Sequence, residues 1–198
     1  MKIVITTMDD PLVTNNFIKN FLNLTKHEIK AVFVSNPGQF NSLNKGENKF
    51  DLRYPISLFL IAGVYHSLIK LAIFINYRFR NYLEKKFNLT NYLSLENFCK
   101  KKGILFESKS SICSKEVINY VKNNDIDLIF NQAQEILTKD FLKSPKIGVL
   151  NRHNSLLPNY RGRLAPFWAL KNKEECAGVT IHLVGEKIDK GPIVVQEK

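Results

Sequence analysis

Short β-branched runs alternate with segments of helical apolar spacing, and this alternation restricts the fold of the chain more than any other feature. Runs at 2–7, 29–35, 103–107, 126–131 and 147–151 are short and apolar, as buried strands are. Helical patterns separate them at 11–24, around 93–102 and from Ser114 to about 124, with Asp10 and Ser114 placed as caps. Two further strands are predicted at 179–184 and 192–196. The pattern predicts an α/β fold with a mostly parallel, doubly wound central sheet flanked by helices.

Length, charge and cysteine usage narrow the class of protein. The 198 residues fit one domain, 1–198, and 44% hydrophobic residues argue against a disordered chain or an all-membrane one. The net charge of +11 favours an anionic partner, such as a nucleotide, a polyglutamylated cofactor, RNA or a lipid surface. The cysteines Cys99, Cys113 and Cys176 are far apart in sequence, which indicates free thiols in a reducing cytoplasm.

A long apolar segment at 56–75 interrupts the pattern between the second and third strands. It is long enough to cross a membrane, but a central lysine such as Lys70 costs roughly 2.5–3.5 kcal/mol on insertion, and His66 is polar too. Between 49 and 90 there are seven Lys or Arg against two acids, a composition that suits adsorption to anionic lipid. We expect a helical insertion at about 51–90, outside the sheet and packed on protein or in a homodimer. A membrane-surface contact stays open as the alternative, and 36–48 is expected to be an exposed loop.

The end of the chain carries the residues that point to chemistry. The stretch NRHNSLLP occupies 151–158, GVTIH occupies 178–182 and DKGPI occupies 189–193. Alternate residues of a strand share a face, so Asn151 and His153 point the same way. They also stand at the carboxyl end of a parallel strand, where open α/β sheets bind their ligands.

Acyl transfer to an amine needs a neutral attacking nitrogen and donors for the oxygen that gains charge. The amide of Asn151 and a protonated His153 are donors of this kind. Asp189 would favour the protonated imidazole and accept the proton of the amine, directly or through water. No nucleophile signature for a covalent intermediate occurs.

At these residues the chain resembles the folate-dependent formyltransferase family. The family pattern Asn-x-His-x-Ser-Leu-Leu-Pro, an aromatic-x-Gly turn, Gly-Val-Thr-Ile-His and Asp-x-Gly-Pro-Ile is matched in order over roughly 128–196. The resemblance implies a Rossmann-like formyltransferase domain that uses 10-formyltetrahydrofolate, with Asn151, His153 and Asp189 in the catalytic positions. It also implies a folate site formed by two segments: Gln134, Glu135, Ile136 and Leu137, and Ser155, Leu156, Leu157 and Pro158.

The acceptor of the formyl group is less determined. The purine-synthesis branch of the family holds a substrate phosphate with a glycine-rich loop after the first strand. Here that loop carries Asp9 and Asp10 and no glycine, so a phosphate would be repelled and glycinamide ribonucleotide is not expected to be an acceptor. Arg161 and Arg163 are either solvated loop charges or contacts to an anionic acceptor. Methionyl-tRNA and a nucleotide-linked amino sugar both remain candidates.

Two rival functions stay open beside formyl transfer: a non-catalytic membrane-associated module with this fold, and a formyltetrahydrofolate hydrolase. By the family pattern the domain continues beyond residue 198, so we expect the C-terminal end of the domain to be missing.

His182 lies in mid-strand and is expected to be structural, while His27 and His66 have no partner signature. The four histidines lack metal-ligand spacing, so no metal is predicted.

Overall fold

The computed structural model describes residues 1–10, 13–35, 53–87 and 94–198, and within them one sheet has the strand order β3-β2-β1-β4-β5-β6-β7. The first five strands are parallel, β6 is antiparallel to β5, and β7 is antiparallel to β6. The predicted mostly parallel sheet is confirmed. The strands are β1 (Lys2–Met8), β2 (Glu28–Ser35), β3 (Leu105–Lys109), β4 (Leu128–Asn131), β5 (Gly148–His153), β6 (Val179–Leu183) and β7 (Ile193–Glu197).

Helices flank the sheet, and their apolar faces form a core on each side of it. The helices are α1 (Thr14–Leu24), α2 (Arg53–Phe87), α3 (Leu95–Lys101), α4 (Lys115–Asn123), α5 (Lys139–Leu142) and α6 (Ala165–Lys171). On one face, Val4, Phe33 and Ile129 of the sheet join α4 in a buried cluster. On the other face, Ile5, Val32 and Phe130 of the sheet join α1 and α3. Side chains of β1, β4 and β5 therefore alternate between an α4 face and an α1 face.

Serine side chains begin two of the helices. The N–H of Val117 donates to Ser114 Oγ at the start of α4, as the sequence predicted, and the N–H of Asn97 donates to Ser94 Oγ at the start of α3. Each cap satisfies a backbone donor that the first turn of a helix leaves without a partner.

The prediction that Asp10 caps α1 is wrong. The helix begins at Thr14 after Val13, which provides no side-chain cap. The backbone carbonyl of Asp10 accepts the N–H of Asn15 in the first turn at 2.9 Å.

In the structure the apolar segment is helical, and no strand of the sheet lies within it. It forms part of α2, which follows β2 in the chain and is interrupted at Gly63, where φ is 73°. Much of this segment is exposed, with Leu60 at 73% and Tyr65 at 72% exposure, so the described part of the domain does not supply the expected packing. In the described ranges no helix is both long enough and apolar enough to cross a membrane. The predicted loop at 36–48 lies outside the described residues.

The cap of α4 gives a test of this local structure. We expect Ser114→Ala to lower the free energy of unfolding by about 1 kcal/mol, because the Val117 N–H loses its acceptor. Denaturant unfolding followed by circular dichroism measures the change. Ser110→Ala, at an exposed serine outside any helix, is the control and should leave the stability within about 0.5 kcal/mol. An equal loss in both variants would contradict a capping role.

Candidate functional site

A cavity of about 550 Å³ opens at the carboxyl edge of the parallel strands. The ends of β4 and β5 form its floor, the loop after β4 forms one wall, and the start of α1 forms another. Asn151, His153 and Asp189 all line it. The structure therefore brings the three predicted catalytic residues to one place, at the edge of the sheet that the sequence indicated.

A row of buried polar side chains crosses the strands beneath this cavity and fixes the amide of Asn151. The Thr6 hydroxyl donates to Asn131 Oδ1 at 2.8 Å, and the Ala133 N–H donates to the same oxygen at 3.2 Å. Asn131 Nδ2 then donates to Asn151 Oδ1 at 3.3 Å. Because the oxygen of Asn151 faces Asn131, its nitrogen must face the other way, where it lies 3.4 Å from His182 Nε2. An amide nitrogen carries two hydrogens, so one of them is left for a ligand.

Asp189 lies between two imidazoles. Its Oδ2 is 3.5 Å from His153 Nδ1, and its Oδ1 is 3.6 Å from His182 Nε2. The Gly162 N–H donates to Oδ2 at 2.7 Å. An added Cβ at Gly191 would overlap the carbonyl oxygen of Leu183, so only glycine lets the loop after Asp189 approach β6 this closely.

The electrostatics of this group follow from its contacts. The hydrogen bond to Asp189 is the main cause that raises the pKa of His182, and it outweighs the burial of the ring. Burial raises the pKa of Asp189, but the contacts with His182, the Gly162 N–H and the two histidine charges together bring it below its ordinary value. Asp189 is therefore ionised at neutral pH, and its negative charge is directed at two rings.

The two rings differ in what their other nitrogens do. His153 Nε2 lies 2.9 Å from the carbonyl oxygen of Tyr160 and is therefore its donor, so a protonated His153 satisfies both that carbonyl and Asp189. His182 Nδ1 donates to the Leu183 carbonyl at 3.0 Å, which leaves Nε2 between the Asn151 amide and Asp189. Neutral His182 accepts from Asn151, and protonated His182 donates to Asp189.

The two segments predicted to bind folate are placed differently. Gln134, Glu135, Ile136 and Leu137 line the cavity. Ser155, Leu156, Leu157 and Pro158 are not among the described residues that line it. The Leu157 N–H donates to Thr180 Oγ1 at 3.1 Å, and the Ser155 hydroxyl donates to the Asn159 carbonyl at 2.8 Å. This segment braces the loop that carries Tyr160, so the expected direct contact with folate has no support in the cavity lining.

The two arginines that were candidates for contact with the acceptor also lie in different places. Arg163 lines the cavity, whereas Arg161 Nε donates to the backbone carbonyl of Asp189 at 3.1 Å. Arg161 thus holds the Asp189 loop and, among the described residues, is not part of the lining.

Sequence reasoning missed Arg152, which lines the cavity from the α1 face of β5. Its guanidinium lies 4.1 Å from the ring centroid of Phe17, and its buried Nε has no hydrogen-bond partner. Within the described ranges it forms no ion pair, and burial lowers its pKa. The signal was present in the strand pattern, because Arg152 shares its face with the apolar Leu150.

His182 was predicted to be structural, and the structure places it against both Asn151 and Asp189. Its pairing partner in the sheet is Asn151. The contact could not be predicted from the sequence, because it depends on the register between the antiparallel strands β5 and β6. In the described part of the chain, no group of three or more His, Cys, Asp or Glu side chains is placed to hold a metal ion.

The Asp189–His182 contact predicts a measurable titration. Because the pKa of His182 is raised above its unfolded value of about 6.5, its stabilising effect is complete below about pH 6.5. The effect is lost as the pH rises through the folded-state pKa. We expect Asp189→Asn to lower the pKa of His182, measured by NMR titration of the imidazole protons. Asp125→Asn removes a carboxylate that pairs with Lys146 instead, so it should leave His182 unchanged. An unchanged pKa in Asp189→Asn would refute the coupling.

Comparison with known proteins places this geometry in a family. The formyl transferase family model matches residues 82–198. The bifunctional polymyxin resistance protein ArnA of Wigglesworthia glossinidia brevipalpis is 45% identical over 80 residues, which are 40% of this chain and 12% of that protein. A methionyl-tRNA formyltransferase of Thermodesulfovibrio yellowstonii is 47% identical over 64 residues, which are 32% of this chain and 21% of that protein. The matched part therefore spans well under half the length of either relative.

The fold itself matches over the whole chain. A phosphoribosylglycinamide formyltransferase from Bacillus halodurans superposes with a TM-score of 0.60, covering 100% of this chain and 78% of that one, at 18% identity. That identity shows a shared fold and nothing finer. The family match extends over more than half of the chain and contains Asn151, His153 and Asp189. The chain therefore belongs to the formyl transferase family.

Proposed function

We propose that this protein transfers a formyl group from 10-formyltetrahydrofolate to a primary amine. The observation that carries the proposal is the juxtaposition of Asn151, His153 and Asp189 at the open end of one cavity. Family membership supports a formyl donor derived from folate. The identity of the catalytic residues and of the acceptor is our own inference.

In the proposed reaction Asn151 and Asp189 have different roles. The neutral amine attacks the formyl carbon, and the formyl oxygen gains negative charge. The Asn151 amide hydrogen that has no protein acceptor stabilises this oxygen, because its direction is already fixed by Asn131. Asp189 is ionised and accepts the proton of the amine, directly or through water. The C–N bond to the folate then breaks as the folate nitrogen takes up the proton held by Asp189, directly or through water, and the formyl group remains on the acceptor nitrogen.

His153 has a supporting part in this scheme. Its Nε2 is engaged by the Tyr160 carbonyl and its Nδ1 faces Asp189. In this position the ring holds Asp189 and the Tyr160 carbonyl beside the reacting groups without touching the formyl oxygen. A direct hydrogen bond to the formyl oxygen would require the ring to leave Tyr160.

The donor would occupy the wall formed by 134–137. Glu135 holds this wall in place, since its carboxylate accepts from the Ser111 hydroxyl and from the Ile112 N–H at 2.9 Å. Ile136 is 54% exposed and lines the cavity, and Leu137 packs partly on the α4 core. An anchored apolar wall suits a flat aromatic ring such as the pterin of a folate.

The acceptor would approach from the α1 side of the cavity. Arg152 supports an acceptor with an anionic part, because a half-buried cation without a counter-ion gains most from one. Methionyl-tRNA and a nucleotide-linked amino sugar both carry phosphate. The names of the two relatives include a methionyl-tRNA formyltransferase and a polymyxin resistance protein, and they do not decide between these acceptors.

One assay separates this proposal from its rivals. The protein is incubated with 10-formyltetrahydrofolate, with and without the amine, while formylated product and free formate are both quantified. Product that depends on the amine supports the transferase. Formate released without any amine would indicate a hydrolase, and no turnover with any amine would indicate a binding module.

The catalytic set predicts a pattern of losses. Asn151→Ala removes one oxyanion donor, and such losses slow turnover roughly 10²–10³-fold. Because Asn151, His153 and Asp189 act on one transition state, the Asn151→Ala/Asp189→Asn double variant should lose much less than the product of the two single losses. Single-turnover kinetics with saturating folate measures this. Folate binding, followed by fluorescence, is the control and should survive in each variant. Fully multiplicative losses would mean that the residues act independently.

If Arg152 contacts the anionic acceptor, its substitution should weaken acceptor binding. We expect Arg152→Gln to raise the KM for the anionic acceptor roughly tenfold to a hundredfold, the range for one lost charge-assisted hydrogen bond, with little change in kcat. Arg152→Lys should restore part of the affinity. The exposed Lys122 at the far end of α4 provides the matched control, Lys122→Gln. Unchanged KM in Arg152→Gln would remove this residue from the acceptor site.

A further inference from the structure

One side of helix α2 carries five of its polar side chains, with Ile73 on the same side between Lys70 and Tyr77. His66, Lys70, Tyr77, Asn81 and Glu84 follow one another at intervals of four, seven, four and three residues. Residues at these intervals lie on one side of an α-helix. We call these five residues the polar stripe.

The C-terminal part of the polar stripe, Tyr77 to Glu84, faces the body of the protein, whereas His66 and Lys70 are exposed. The Asn15 side-chain amide of α1 donates to the Tyr77 hydroxyl at 3.4 Å, and the Asn97 amide of α3 donates to Glu84 Oε1 at 3.0 Å. Glu84 is 2% exposed. A helix on the surface of a globular protein normally turns its apolar side to the core. The second half of this helix turns polar side chains there.

The apolar side points away from the protein. Val64, Leu68, Leu71, Ile75 and Phe79 recur at helical intervals and are each between 53% and 60% exposed. We call these five residues the apolar stripe. Four of them precede a member of the polar stripe by two residues, which is about 200° around a helix of 3.6 residues per turn. The two stripes therefore lie on opposite sides of α2.

A contiguous apolar face of this length is a mark of an interaction surface. The charges beside it indicate its partner. Arg78 and Arg80 flank Phe79 and are exposed, and Lys86 is exposed in the last turn. Glu84 is the only acid in α2, and it is buried against α3. A second copy of the chain would bring the same cations together, whereas an anionic lipid surface would neutralise them.

We propose that α2 is an interfacial helix that docks this protein on an anionic membrane surface, with the apolar stripe in the lipid boundary and the C-terminal part of the polar stripe against the domain. Helices of this kind lie in the plane of the membrane, with basic residues at the rim of the apolar face. The absence of a helix that could span a membrane in the described residues agrees with this orientation. The proposal does not depend on formyl transfer.

Vesicle co-sedimentation of the full chain tests the apolar stripe. Vesicles of phosphatidylcholine mixed with phosphatidylserine should pellet the protein, and phosphatidylcholine alone should pellet much less. Leu68→Glu/Ile75→Glu should abolish binding, because both residues, each 58% exposed, would enter the lipid boundary. The matched control is Leu24→Glu/Leu170→Glu, at helix positions 81% and 79% exposed elsewhere on the surface, and it should bind normally. Circular dichroism confirms that both variants are folded.

The cations give an independent measurement. Each Lys or Arg near an anionic surface contributes about 1 kcal/mol, so Arg78→Gln/Arg80→Gln should lower the partition coefficient about thirtyfold. Lys26→Gln/Lys122→Gln, at exposed positions outside α2, should change it far less. Binding should also weaken as salt is raised.

Three outcomes would overturn the proposal. The first is unchanged vesicle binding in Leu68→Glu/Ile75→Glu. The second is no binding to anionic vesicles, together with a dimer in sedimentation equilibrium that the same substitutions dissociate, which would make a second copy the partner. The third is resistance of the bound protein to a carbonate wash, which would indicate insertion across the bilayer.

Discussion

The carboxylate of Asp189 is the point at which the separate parts of the site are joined. It reaches His153 at the end of β5 and His182 in β6, and it accepts the N–H of Gly162 from the loop between them. Arg161 holds the backbone of the same residue. A single buried charge thus fixes two rings and one loop, and without it each imidazole would lose its anionic partner. A buried carboxylate is tolerated only with several such contacts, and these contacts keep it ionised.

The sheet supplies the other half of the site through its register. Thr6, Asn131 and Asn151 stand in adjacent parallel strands at paired positions, so their side chains meet on the α4 face. The Thr6 hydroxyl sets the orientation of the Asn131 amide, and that amide sets the orientation of Asn151. An amide donor that is already oriented needs no reorganisation when charge develops on a substrate, which is why the proposed role suits Asn151. The fold therefore prepares the donor before any ligand binds.

Much of this arrangement could be predicted from local sequence, and the remainder depended on tertiary information. The strands and the shared face of Asn151 and His153 follow from the alternation of side chains. The role of His182 does not, because it depends on the antiparallel register of β6 against β5, which no local pattern encodes. Arg152 was overlooked for a related reason. Among the described residues its guanidinium has no counter-ion, and this can be recognised only in the folded structure. The start of α1 was misplaced because the helix begins only at Thr14, where the backbone carbonyl of Asp10 accepts the N–H of Asn15.

Helix α2 and the cavity are linked through the first turn of α1. The Asn15 side-chain amide donates to Asp9 Oδ1 at 2.7 Å and also to the Tyr77 hydroxyl of α2. Burial raises the pKa of Tyr77 to about 12, so this hydroxyl stays neutral across the physiological range. The neighbouring Thr14 lines the cavity on the side where Arg152 lies. A contact that holds α2 is therefore connected to the cavity wall through the two hydrogen bonds of the Asn15 side chain.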